Sequence, residues 1–255
     1  MSAQGLTILL PLFFLTALIY STVGFAGGST YLALLALFGV AYQLMPVTAL
    51  VCNMVVAFSG TWIYWRAGHL KLKNTLPFLV TSLPMAYWGG RVPISKEHFL
   101  FLLGVVLFVA ALRLFLSDAS FGGSKETSWR MAWLWGVPLG GALGFVSGLT
   151  GIGGGILLAP VLYFLGWANA KQVAAAASFF ILLNSAAGFL GQIQKNGTHI
   201  DWFFMAPLAG VVFLGGQIGS RLGAQRFSRV VIQRLTGALI LVIAVKLILG
   251  GLCLT

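Results

Sequence analysis

The sequence predicts an all-α integral membrane protein with about ten transmembrane segments. It arranges them as two inverted five-helix repeats, each with a short broken helix after a glycine-rich loop. Three observations carry this expectation: the composition, a row of apolar segments of spanning length, and a correspondence between the two halves. Of 255 residues, 59% are hydrophobic and 7% are charged, against about 25% charged in an average soluble domain. So much apolar side chain needs the bilayer as its solvent. The 33 glycines fit the same reading, because small residues let membrane helices approach closely.

Ten apolar segments run in order over 6–23, 28–40, 44–65, 74–91, 98–117, 130–149, 154–167, 171–194, 201–220 and 229–251. Most reach the ~20 residues needed to span. The first follows MSAQG, with no Lys or Arg before its apolar run, and reads as a spanning helix rather than a cleaved signal. The second and seventh are short, 13 and 14 residues, and each follows a glycine cluster. Gly24, Gly27 and Gly28 lead into one; Gly151, Gly153, Gly154 and Gly155 lead into the other. The polar stretch SDASFGGSKETSWR separates the fifth and sixth segments. The chain thus divides into a first transmembrane repeat (1–117), a cytoplasmic linker (118–129) and a second repeat (130–255).

The halves align. At a shift of 127, Gly24, Gly27, Gly28, Leu35 and Gly39 fall on Gly151, Gly154, Gly155, Leu162 and Gly166. At a shift of 130, Arg91 falls on Arg221. The same order of glycine cluster, short helix and terminal Arg is the signature of a duplication. Each repeat holds an odd number of segments, so ten crossings would invert the second relative to the first. The charges favour ten crossings. Ten crossings leave only Arg91, Lys96, Lys195 and Lys246 on one side and the other 11 basic residues together. By the positive-inside rule, the linker is cytoplasmic and both termini are outside. Re-entrant short segments would instead split the charges almost evenly.

Several function classes fall away. The formal charge of +11 comes from single Lys and Arg residues between apolar runs, which excludes a nucleic-acid surface and fits positive loops. Cys52 and Cys253 sit in apolar contexts with no disulfide or metal spacing; Cys52 reads as a small buried hydrophobe. His69, His98 and His199 lie in loops without metal spacing, so no metal or cofactor is expected. The eight Trp cluster near segment ends as an aromatic belt. Glu97, Asp118, Glu126 and Asp201 are the only acids, and none sits mid-span to relay protons. No nucleotide-binding or hydrolase motif is present, so an enzyme is not expected.

At Ser147–Pro160 the chain reads SGLTGIGGGILLAP. This stretch resembles the second-half signature of the TauE/SafE family of sulfite and organosulfonate exporters. The first-half counterpart, VGFAGGSTYLA, departs from it at Ala26 and Ala33, which stand opposite Gly153 and Pro160. The resemblance extends over nearly the whole chain. It implies a secondary transporter in a bacterial inner membrane that exports a sulfur-containing anion such as sulfite or sulfoacetate. An anion channel, or a membrane protein that assembles with others without transport, stays open as an alternative, as does a homo-oligomer.

The residues themselves point to a site. A glycine loop lets backbone N–H groups approach a ligand, and the short helix behind it presents its positive dipole end. Gly27, Gly28, Gly153, Gly154 and Gly155 are therefore candidate anion contacts; tight helix packing is the other use of such glycines. Ser29, Asn53, Thr150, Ser178 and Asn184 are neutral polar residues inside the spans, with Ser59, Ser185 and Gln192 in the same class. An Asn amide can donate to a sulfonate oxygen or to a neighbouring helix. Arg91 and Arg221 end the fourth helix of each repeat, where they would either draw anions into a vestibule or snorkel to the interface.

Overall fold

The computed structural model describes residues 3–116, 129–164, 170–196 and 201–223, together with Leu241, Ala244, Val245 and Ile248 of the last segment. Nearly all of the 118–129 linker and most of the tenth segment fall outside the described residues. Among those described, every regular element is a helix: α1 (Ala3–Ser21), α2 (Gly28–Leu37), α3 (Leu44–Arg66), α4 (Leu72–Arg91), α5 (Lys96–Leu116), α6 (Trp129–Thr150), α7 (Gly155–Phe164), α8 (Ala170–Asn196) and α9 (Trp202–Gly223). Four are long and apolar enough to cross a membrane, over Leu44–Arg66, Trp129–Thr150, Lys171–Lys195 and Trp202–Leu222. The outer surface is apolar: Phe203 is 93% exposed and Leu134 66%. Such side chains are stable outward only where lipid replaces water. This is an integral membrane protein.

Glycines set the helix packing. On α6, Gly136, Gly140, Gly144 and Gly148 recur every four residues, one turn apart on one face. They press in turn on Pro77, Phe78, Ser82 and Ala86 of α4. Because both numbers rise together, α4 and α6 run parallel. On the other side of the molecule, Gly215 and Gly219 of α9 press on the Phe14 and Leu18 carbonyls of α1. That pair is parallel too. Gly89 of α4 lies on the Phe145 carbonyl of α6, and the shifts seen in the sequence carry this contact onto Gly219 and Leu18. Between the two pairs, α3 and α8 pack along each other in opposite directions: Leu50 lies against Gly188, and Gly60 against Ser178. The α4–α6 contacts at Gly140, Gly144 and Gly148 and the α1–α9 contacts at Gly215 and Gly219 pass backbone to backbone, with no room for a Cβ.

The first short segment is shorter than the sequence indicates. α2 ends at Leu37, not 40, because Gly39 takes a left-handed φ of 66° and stops the helix. Among the described residues each short helix has ten residues, about 15 Å of rise, half the ~30 Å hydrocarbon thickness. The two are nevertheless buried: Tyr31, Leu32, Ala33 and Leu35 of α2 and Leu158, Ala159 and Leu162 of α7 are sealed from the surface.

Candidate functional site

The two glycine loops approach α3 from opposite ends. Gly151 packs on Pro46, near the start of α3. Gly24 packs on Ala174, near the start of α8. Since α3 and α8 are antiparallel, those starts lie at opposite ends of the pair. The loops then converge on Asn53, near mid-length of α3. A Cβ at Gly28 would lie 2.5 Å from Asn53 Nδ2 and 2.5 Å from the Ile152 carbonyl oxygen. A Cβ at Gly153 would lie 2.8 Å from the same Nδ2. Gly28, Asn53 and Gly153 are thus in one place, with the start of α2 facing the second loop.

Left-handed backbone makes these loops. Gly27 has φ 94° and caps α2 with no side-chain partner; Gly153 and Gly154 have φ 84° and 73° in succession. Residues with a Cβ rarely adopt these angles. The Gly155 N–H turns back to the Gly153 carbonyl at 3.0 Å. Among the described residues, the N–H groups of Ala26, Gly27, Ile152, Gly153 and Gly154 donate to no backbone carbonyl.

Each loop is pinned by a side chain from the opposite half. Asn53 Nδ2 donates to the carbonyls of Ile152 at 3.1 Å and Gly151 at 3.4 Å. Ser178 Oγ donates to the Gly24 carbonyl at 2.7 Å. Gly24 and Gly151 are the paired positions of the sequence repeat, so the pinning is reciprocal. Both side chains are fully buried or nearly so.

The remaining sequence candidates fall in several places. Gly154 lies against Phe180 and Ser147, and Gly155 against Ile181. Gly27 lies against Thr16 and Tyr31. Ser29 is buried in the first turn of α2, beside Thr30, whose hydroxyl donates to Tyr20 Oη at 2.9 Å. Thr150 donates to Val146 O, and Asn184 Nδ2 to Phe180 O, each within its own helix. Both Asn amides therefore donate to backbone here; their Oδ1 atoms are buried without a partner among the described residues. Arg91 is exposed at the end of α4, its guanidinium 5.5 Å from the Tyr87 ring and 5.4 Å from the Trp88 ring. Arg221 is exposed at the end of α9. Cys52 is buried and free. No cluster of three metal-ligating side chains occurs among the described residues.

The sequence reading passed over two contributors. Ile152 supplies a carbonyl to Asn53, which no side-chain pattern could reveal. Ser147 opens the glycine motif and returns to Gly154 because α6 ends between them.

The family model for "Sulfite exporter TauE/SafE" matches residues 9–247. The chain belongs to this family. It is similar to "Probable membrane transporter protein y4hK" of Sinorhizobium fredii, 32% identical over 92% of this chain and 95% of that one. It is also similar to "Probable membrane transporter protein YunE" of Bacillus subtilis, 24% identical over 94% and 96% of the two chains. YjnA of the same organism, similarly named, is 26% identical over 96% of this chain and all of its own. No solved structure matches the chain significantly. The TauE/SafE chain is a membrane transporter, and its glycine loops lie at the centre of the helix packing.

Proposed function

We propose that this TauE/SafE protein is a secondary transporter that exports a sulfur-containing anion, such as sulfite, sulfoacetate or another small organosulfonate. The observation that carries the reading is the convergence of the two loops on Asn53. The start of α2 at Gly27 and the Ile152–Gly154 loop ahead of α7 bring uncapped N–H groups to one buried place. Such dipoles hold an oxyanion with no buried cation, and binding without a full opposing charge stays reversible. The family's own description, which names sulfite, supports the substrate class.

The proposed frame is ten crossings, an inverted repeat, and both termini outside a bacterial cytoplasmic membrane. Helix directions support it. If α7 dipped in and returned, α8 would run parallel to α3; the two run antiparallel. If α2 did so, α1 would run antiparallel to α9; they run parallel. In this proposed frame each short segment counts as a crossing, made jointly by its loop and its short helix, as in other repeat transporters.

Flux into proteoliposomes tests the function. Saturable exchange of sulfite or sulfoacetate is the expected result. Ohmic current would make the protein a channel, and no flux of any sulfur anion would refute transport of this class.

A further inference from the structure

Buried hydroxyls around the first loop are mostly engaged. Thr16 donates to Leu12 O, Ser21 to Leu18 O, Thr30 to Tyr20 Oη and Ser178 to Gly24 O; Tyr31, beside Gly27, is the exception. The second loop differs. Ser147 and Ser185 are both sealed from the surface, and neither Oγ has a partner among the described residues. Each faces a different glycine of the loop. Ser185 Oγ would lie 3.0 Å from a Cβ at Gly153, and Ser147 Oγ 3.3 Å from one at Gly154. A buried hydroxyl without a partner costs about 1–3 kcal/mol, so two of them on consecutive loop positions are an expensive arrangement.

We infer that Ser147 and Ser185 are the side-chain donors of an oxyanion subsite on the second loop, completing the anion site proposed above, on which this inference rests. α6 and α8 bring the hydroxyls to the loop from two directions, and the free N–H groups of Gly153 and Gly154 belong to the same loop. A hydroxyl rotates, so each serine can aim its proton at a substrate oxygen when one arrives. The neighbouring Asn184 has its amide committed to Phe180 O, which makes Ser185, one residue on, the donor of that turn.

A hydroxyl that serves the ligand and one that serves the fold respond oppositely to removal. Deleting an unpartnered hydroxyl relieves a cost in the empty protein, whereas deleting a bonded one adds a cost. Sulfite binding and melting temperature are measured for the detergent-purified full chain and for Ser147→Ala, Ser185→Ala and Ser178→Ala. The serine-to-alanine changes at 147 and 185 are expected to weaken sulfite binding about tenfold each, as for hydrogen bonds to a charged group. They should leave the ligand-free melting temperature unchanged or raised. Ser178→Ala should lower it. Near-isosteric Ser185→Cys, with its weak donor, should repeat the Ser185→Ala pattern. If the wild type binds sulfite and the alanine variants bind it equally well, this assignment fails while the transport site stands. If the variants lose binding and melt as low as Ser178→Ala, the hydroxyls are structural and the assignment fails. If the wild type binds neither sulfite nor methanesulfonate, both readings fail together.

Discussion

Gly28→Ala is the most direct probe of how the two halves meet. Gly28 has ordinary helical backbone, outside the left-handed set, so alanine costs nothing in φ. The cost is contact. The new methyl would lie 2.5 Å from Asn53 Nδ2, 2.5 Å from Ile152 O and 2.8 Å from Asn53 Oδ1. It therefore pushes on both ends of the bond that holds the second loop. Overpacking of a tight interior costs about 1–3 kcal/mol, and a lost hydrogen bond inside a membrane bundle adds about 0.6 to 1.7 kcal/mol. The expected destabilisation is about 2–4 kcal/mol, read as a fall of several degrees in the melting temperature of purified protein. Sulfite exchange should fall further than stability, because the loop is displaced even in protein that stays folded. A double-mutant cycle sharpens the test. In an Asn53→Ala background the amide is gone and part of the clash with it, so the double variant should be less damaged than the two singles added together. Wild-type melting and flux in Gly28→Ala, or strict additivity with Asn53→Ala, would show that the loops do not meet at this point.

Glycines elsewhere should separate by what surrounds them. Gly148→Ala drives a methyl into the Ala86 carbonyl and should cost several kcal/mol, leaving little monodisperse protein by size exclusion, whereas Gly210→Ala, which opens onto empty space, should melt within about 1 kcal/mol of wild type or above it. Neutralising the four acids one at a time should leave flux largely intact, because none sits mid-span to relay protons, and total loss at any one, with normal expression, would overturn that reading. Within that set Asp201→Asn is expected to melt like wild type, while Asp201→Ala should lose about 0.5–2 kcal/mol, since Asp201 Oδ1 accepts the Phe204 N–H at 3.0 Å at the start of α9. Cysteine labelling at Ser124 and Thr255 should occur from opposite sides of the membrane; labelling of both from one side would remove the inverted repeat.

Much of this protein is written in its residues one at a time. Hydropathy marks the bilayer because the cost of placing apolar side chains in water is local and additive, and so the helices among the described residues begin and end within a few residues of the apolar segments. The two glycine clusters were legible because several of their glycines are demanded by backbone angles, as at Gly27 and Gly154, and few other residues can satisfy those angles. The SGLTGIGGG stretch carried the family for the same reason. Partnership is where the sequence falls silent. It ranks Asn53 and Asn184 alike, as matching amides in matching helices, yet one pins the Gly151–Ile152 turn and the other bonds within its own helix. It ranks Ser178 with the candidate ligand contacts, while packing sets that hydroxyl on Gly24 O and leaves Ser147 and Ser185 without partners. A hydrogen bond spans two segments 98 or 154 positions apart in the chain. Which pairs form depends on the relative depth and direction of packed helices, and glycine contacts such as Gly60 on Ser178 and Gly188 on Leu50 settle that only once the bundle has closed.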